Sequence, residues 1–388
     1  MEKINNLAIS KSECTGCFTC YSLCPTHAIT MSFDDEGFSY PIVDSNACIK
    51  CGLCYKKCPV AKLTVNRECL HIFRGNAKDL DERRKGSSGG IFGLLSNWII
   101  AKGGIVYGAV YSAESKLIIH SNNKKTDISK LYTSKYVQSL IGDCFIEIKQ
   151  LLKDNKTVLF CGTPCQVAGL KSYLGEDSSN LFTIDFMCHG VPSSGLFRDF
   201  IDDLESNKKV NISDVSFRTK KNGWRNSTTS IVFSDGSTMD ILNKDFLFYR
   251  CFLKSFSLRK SCYGCKYYRS HESDLTLADD WQLPKGLDDD TGMSLILVNT
   301  EQGMNLLKHI DLYMNIMSIP VDSFDFEKYK HQYEHQDRDK FFKDYKEQGA
   351  KLTLNKWKKR ALKPNSSFRD RIFGFVQCLI KRISKTSK

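Results

Sequence analysis

Apolar and polar positions follow two periods along this chain, and their order predicts its elements. IFGLLSNWIIAK (91–102) is amphipathic at helical spacing and follows the Gly/Ser turn KGSSGG. GGIVYGAVYS and KLIIHS read as a β-pair. The two periods then alternate. DCFIEIKQLLKD is helical, TVLFCG is a buried strand, and PCQVAGLKSYL is a helix with Pro164 in its first turn. LFTIDFMCHG is a strand, and SSGLFRDFIDDLES is a helix under a serine cap. Such alternation predicts an α/β domain with a partly parallel sheet. VSFRTK, TTSIVFSDG and STMDIL read as antiparallel strands, and SLILVNT with EQGMNLLKHIDLYM as a strand–helix pair. Nearer the start, AITMSFDDEGFSYPIV predicts short strands around an Asp-Glu-Gly turn. Four regions follow: 1–66 with two similar halves, a charged and polar linker over 67–85, a mixed α/β domain over 86–320, and a charged, mainly helical region over 321–388.

Composition narrows this picture in two places. The 388 residues carry a formal charge of +12, much of it late in the chain at Lys356, Lys358, Lys359, Arg360 and Lys363, then Lys381, Arg382, Lys385 and Lys388. Phe368, Ile372, Phe375, Val376, Leu379, Ile380 and Ile383 recur at helical spacing among those charges. This tail is expected to cover the protein's own core, with a membrane surface or a partner protein as the other readings. No nucleic-acid motif accompanies the charge, so nucleic acid is not an expected partner. There is no apolar run of about 20 residues and no apolar leader, so the expected location is cytoplasmic, with peripheral membrane association as the open variant.

The second place is cysteine. Seventeen cysteines in a reducing compartment point to metal or redox chemistry, not disulfides. Their spacing is specific: Cys14, Cys17, Cys20 and Cys24 before Pro25, then Cys48, Cys51, Cys54 and Cys58 before Pro59. This is the two-cluster ferredoxin run, in which the fourth cysteine of each run serves the other cluster. The expected ligand sets are therefore Cys14, Cys17, Cys20 and Cys58 for one [4Fe-4S] cluster, and Cys48, Cys51, Cys54 and Cys24 for the other. Zinc knuckles lack the third cysteine and the Cys-Pro repeat.

Further motifs lie downstream: Lys85-Gly86-Ser87-Ser88-Gly89-Gly90, Ser134-Lys135-Tyr136-Val137-Gln138-Ser139, Cys161-Gly162-Thr163-Pro164-Cys165-Gln166, Cys188-His189-Gly190-Val191-Pro192-Ser193, Phe217-Arg218-x-Lys220-x-x-Gly223-Trp224, Arg259-Lys260-Ser261-Cys262-Tyr263-Gly264-Cys265, and Asp279-Asp280-Trp281. Ser-Ser-Gly-Gly before a helix is a reasonable anion cradle, or a plain turn and cap. The turns at Cys161–Gln166 and Cys188–Gly190 end neighbouring strands, where α/β folds bind ligands. Cys165, Cys188, Cys262 and Cys265 together are candidate ligands of a third [4Fe-4S] cluster, with Cys161 in reserve. The plainer reading of Cys165 and Cys188 is as buried apolar residues. Cys69, Cys144, Cys251 and Cys378 are read as packing residues.

In this order the motifs resemble the coenzyme F-420 hydrogenase/dehydrogenase beta-subunit family over roughly residues 1–300. The family commonly reads Gly-Asp-x-Trp at the last motif, where this chain has Ala278-Asp279-Asp280-Trp281. The resemblance implies an oxidoreductase with FAD beside iron–sulfur clusters. The residues expected to hold FAD are Ser87, Ser88, Gly89, Gly90, Lys135, Gly162, Thr163, Pro164, Gln166, His189 and Gly190. Lys135 and His189 are the candidate catalytic groups, each with a bland alternative as a helix lysine or a strand-end histidine. Trp224 and Trp281 are read as substrate-pocket or core residues. The expected activity passes electrons from a ferredoxin-type donor through the clusters to FAD and on to an organic acceptor, such as coenzyme F-420 or a sugar-pathway intermediate. The alternative is a non-catalytic electron-transfer subunit docked on a separate catalytic partner.

Overall fold

The computed structural model describes residues 9–61, 69–329 and 335–363. The cysteine-rich segment begins with α1 (Thr19–Leu23), the hairpin strands β1 (Ile29–Phe33) and β2 (Ser39–Val43), and α2 (Leu53–Lys56). The hairpin pairs Ile29 with Val43 through Phe33 with Ser39. Its turn forms because Asp34 Oδ1 accepts from the backbone N–H of both Glu36 and Phe38, while Gly37 supplies a positive φ of 77°.

The expected linker over 67–85 is corrected here. Its described part holds β3 (His71–Ala77) and α3 (Leu80–Lys85), and β3 lies inside the large sheet. The charge that suggested a linker is satisfied locally. Arg83 is buried and donates from Nε and Nη2 to the Ala77 carbonyl. Asp79 caps α3 by accepting from the N–H of Asp81 and Glu82.

The chain continues through α4 (Ile91–Ala101), β4 (Ile105–Ser112), β5 (Leu117–Asn122), α5 (Cys144–Lys153), β6 (Val158–Cys161), α6 (Pro164–Leu174), β7 (Leu181–Phe186) and α7 (Ser194–Lys208). Then come β8 (Ile212–Thr219), β9 (Thr228–Phe233), β10 (Thr238–Leu242), α8 (Leu247–Leu253), α9 (Lys260–Tyr263), β11 (Leu275–Asp279), β12 (Ser294–Val298), α10 (Glu301–Lys308), β13 (Met314–Ile319) and α11 (Arg338–Ala361). Eight strands form one sheet in the order β13-β3-β12-β11-β7-β6-β4-β5. β4, β6, β7 and β11 run parallel, and the flanking pairs are antiparallel. The fold is therefore mixed α/β, as the alternation implies. β8, β9 and β10 form a separate antiparallel sheet whose buried Phe217, Ile231 and Phe233 join the core shared with α7, α8 and α11. No helix among the described residues is long and apolar enough to cross a membrane.

The cysteine-rich segment is embedded in this body. Gly195 N–H donates to the Gly37 carbonyl at 2.9 Å, Ser193 Oγ to the Glu36 carbonyl at 2.6 Å, and Thr19 Oγ1 to the Gly169 carbonyl at 3.0 Å. A Cβ on Gly37 would lie 2.6 Å from Gly195 Cα, in a left-handed conformation as well. Gly37→Ala should therefore destabilise the chain by about 2 kcal/mol or more. Chemical denaturation checks this, and an unchanged midpoint would contradict the docking geometry.

The basic residues at the end of α11 are partly neutralised. Lys356 pairs with Asp344 at 2.7 Å and Arg360 with Asp337 at 2.8 Å. The tail helix expected over Phe368–Ile383, its basic residues and Cys378 lie outside the described residues.

Candidate redox site

Five of the eight N-terminal cysteines, Cys14, Cys17, Cys20, Cys54 and Cys58, line one small cavity, while Cys24 and Cys48 lie half-buried and Cys51 exposed outside it. Cys54 and Cys58 come from the second run and share this wall with the first; the crossed ferredoxin pattern expects this of Cys58 alone. Burial, reinforced by the Cys17 charge, pushes the Cys58 thiol up to about 12. Cys54 is raised by burial, with the charges of Cys51 and Cys48 adding to it. At Cys24 burial is outweighed by hydrogen bonds from Thr26, Ala28 and Ile29, and its thiol is lowered.

A second small cavity gathers the distant cysteines. Cys165 at the start of α6, Cys188 after β7, and Cys262 and Cys265 at α9 all line it. Cys161, the reserve ligand, does not; it lies on the wall of a larger cavity. Burial raises the thiol of Cys165 to about 12 and those of Cys262 and Cys265 to about 11. Thiolates in this cavity therefore need a cation to form. Three hydroxyls on the same wall, Thr15 Oγ1, Ser261 Oγ and Tyr267 Oη, are buried with no hydrogen-bond partner. Four thiols and three unanswered donors around one cavity fit an iron–sulfur cluster, whose sulfurs accept hydrogen bonds. Among the described residues no group of three or more His, Cys, Asp or Glu side chains is set to hold a single metal ion. A four-iron cube spreads its thiolates more widely than one ion does. Cys144 and Cys251 are buried packing residues, as expected, while Cys69 is half-buried beside another cavity.

The larger cavity has a volume of about 400 Å³ and opens along the carboxyl ends of the parallel strands. Ser87, Ser88, Gly90, Lys135, Gly162, Thr163, Gln166, His189 and Gly190 line it. Two of the expected residues do not. Pro164 faces the small cysteine cavity. Gly89 packs against the sheet instead, where a Cβ would lie 2.4 Å from the Gly75 carbonyl oxygen. The serines are also engaged: Ser87 Oγ accepts from Ser134 N–H at 2.8 Å, and Ser88 Oγ donates to the Met293 carbonyl at 2.9 Å. The Thr163–Gln166 turn is fixed by a capping box, with Thr163 N–H donating to Gln166 Oε1 at 3.0 Å.

The two candidate catalytic groups both face this cavity. Burial pulls the Lys135 amine down to about 8, against the opposing charge of Asp214. It donates to the carbonyls of Lys130 and Thr133, each at 2.8 Å. Burial pulls the His189 imidazole down to about 4, so the ring is neutral at physiological pH. Its Nε2 lies 3.3 Å from Ser255 Oγ.

Trp224 is core and Trp281 is half exposed, and the two rings stack at 5.4 Å. Trp224 Nε1 donates to Asp279 at 3.2 Å, and Asp279 pairs with the buried Arg218. Sequence reasoning missed three features. Lys220 reaches across to donate to the Arg83 and Ser88 carbonyls, pinning the Gly/Ser turn. Burial lowers its amine to about 7. Asp185 on β7 accepts from the buried His271 at 3.0 Å and from Thr276 at 2.6 Å. A fourth cavity, of about 670 Å³, adjoins the 400 Å³ cavity through Met187, Cys188, His189, Trp281 and Tyr329. None of these has a local signature; only the Phe217–Trp224 motif, which contains Lys220, hinted at one.

Residues 155–323 match the family model for the C terminus of the coenzyme F420 hydrogenase/dehydrogenase beta subunit, and residues 13–62 match the 4Fe-4S dicluster domain. A chain of the F420-reducing [NiFe] hydrogenase complex from Methanosarcina barkeri aligns with 14% identity and a TM-score of 0.43, over 76% of this chain and 93% of that one. No curated relative matches the chain. The chain thus joins a 4Fe-4S dicluster segment to a domain of the kind found at the C terminus of the coenzyme F420 hydrogenase/dehydrogenase beta subunit.

Proposed function

We propose that this chain is an iron–sulfur flavoprotein oxidoreductase linking a ferredoxin-type electron donor to an organic acceptor, coenzyme F-420 or a sugar-pathway intermediate. Cys14, Cys17, Cys20 and Cys58 would hold the first [4Fe-4S] cluster, and Cys48, Cys51, Cys54 and Cys24 the second. Cys165, Cys188, Cys262 and Cys265 would hold a third, and the 400 Å³ cavity, of a size ordinary for small-molecule sites, would hold FAD. When bound, the clusters supply one-electron transfer and the flavin supplies hydride chemistry.

One observation carries this reading. The stretch Cys188–Val191 walls both the second cysteine cavity and the 400 Å³ cavity. A cluster ligand and a flavin-cavity wall are thus the same four residues. The chain's own groups supply the rest. Lys135 and the buried Arg218 place positive charge on the cavity wall, and Tyr136, Tyr249 and Phe252 give it flat apolar faces. Neutral His189 contributes a polar ring without adding charge. Trp281, shared with the 670 Å³ cavity, offers an exposed face to an acceptor.

Anaerobic purification followed by iron, sulfide and flavin analysis tests the proposal. About twelve irons and one FAD per chain are expected, with reduced flavin reoxidised by one of the acceptor classes. A chain that neither carries nor takes up flavin would instead be an electron-transfer subunit.

A further inference from the structure

We infer that Arg259 is a built-in counter-charge for the cluster of the Cys14 run, and that it sets how readily this cluster accepts an electron. The inference rests on the reading that Cys14, Cys17, Cys20 and Cys58 hold a cluster. Arg259 is 0% exposed. Its guanidinium donates from Nε to the Cys14 carbonyl at 2.8 Å, from Nη1 to Gln138 Oε1 at 2.9 Å, and from Nη2 to the Ser39 carbonyl at 2.8 Å. The ring of Tyr40 lies 4.1 Å away. Every one of these partners is neutral. The described ion pairs include none to Arg259, and the neighbouring charges are already matched. Asp34 pairs with Lys11 at 2.7 Å, and Arg338 pairs with Glu36 at 2.6 Å.

A permanently charged group buried without an anion is one of the least favourable arrangements in a fold. The residues around it indicate which anion it meets. Gly16, in the loop between Cys14 and Cys17, has no Cβ, and one built there would lie 2.9 Å from Arg259 Nη2. The guanidinium therefore sits against the ligand loop itself. On the other side, Cys262 N–H donates to the Arg259 carbonyl at 3.0 Å, and Arg259 lines the cavity of Cys165, Cys188, Cys262 and Cys265. Four thiolates around a dipositive four-iron core make a dianion. One electron from a donor makes it a trianion, with no bond broken and no proton moved. A fixed cation favours the more negative state, so Arg259 raises the reduction potential.

The test uses the full chain, loaded anaerobically with iron and sulfide, as wild type, Arg259→Gln and Arg259→Lys. Iron content is measured, and the clusters are titrated with dithionite under EPR. Arg259→Gln is expected to keep its iron and to show, at the wild-type midpoint, a tenfold lower ratio of reduced to oxidised cluster, a shift of about 59 mV for one electron. Arg259→Lys, which keeps the charge, should stay near the wild-type potential. An iron-loaded Arg259→Gln with an unmoved potential overturns the inference, as does Arg259→Lys falling as far as Arg259→Gln. If Arg259→Gln takes up no iron, Arg259→Lys decides. Iron held at the wild-type potential supports a charge role, and loss of iron there too makes Arg259 a packing bridge only. A wild-type chain that binds no iron overturns the cluster reading beneath the inference.

Discussion

The double variant Cys262→Ala/Cys265→Ala is expected to lose about four of about twelve irons while keeping both N-terminal clusters. The cysteines are local to one short helix, α9, and its following turn, whereas Cys165 and Cys188 arrive from α6 and the end of β7. Removing two of four thiols leaves too few ligands for a cube. The N-terminal sets share no cysteine with this one, so their iron should stay. Alanine is close to cysteine in volume, so the fold should survive the change. Electrons would then enter the chain and stop short of the 400 Å³ cavity. The N-terminal clusters should still be reduced by dithionite, and flavin reduction through them should fall by at least 100-fold, since the wall at Cys188–Val191 would lack its cluster. Iron and sulfide per folded chain, with stopped-flow flavin absorbance, measure both effects. A double variant that retains every iron would remove the third cluster from the proposal and leave the other two untouched.

The sequence was most legible where function is written in local spacing. The two cysteine runs needed only intervals of three and four residues, because a tight loop presents its own thiolates. The strands and helices between residues 91 and 210 were legible because period and capping coincide, as at Ser193 and Pro164. The linker failed for a physical reason. Arg83 reads as a surface charge in sequence, yet its guanidinium is buried on the Ala77 carbonyl and beside Asp289. Composition cannot distinguish a solvated arginine from one whose donors are all answered by the fold. The Gly/Ser turn failed in a related way. Its glycine at 89 serves the sheet, and its serines are bonded to Ser134 and Met293. The pairs that shape the site, Arg218 with Asp279 and Asp185 with His271, join residues 61 and 86 positions apart. No periodicity reports such contacts.

Arg338→Ala is expected to destabilise the chain by about 3–5 kcal/mol, because it breaks a buried ion pair and strands one partner. Arg338 is buried at the start of α11, and its two Nη atoms reach both carboxylate oxygens of Glu36 in the β1–β2 turn, at 3.1 and 2.6 Å. Its Nε also donates to the Leu258 carbonyl at 3.0 Å, one residue before Arg259. A single side chain therefore ties the cysteine-rich segment, the loop that carries Arg259, and the last described helix into one unit. Its loss should be felt first at the hairpin, whose remaining ties to the body include the Gly37 and Ser193 hydrogen bonds, the exposed Lys346–Asp35 pair and the packing of Phe38. Limited proteolysis should cut the variant near residues 34–38 before the α/β body. Glu36→Gln keeps the shape and removes the charge, so it should be milder. The Arg338→Ala/Glu36→Gln pair should show a coupling of at least about 1 kcal/mol in denaturant unfolding. Strict additivity would mean that the hairpin is held by packing of Phe38 on Phe342, whose rings lie 5.6 Å apart. The ion pair would then serve only to orient α11.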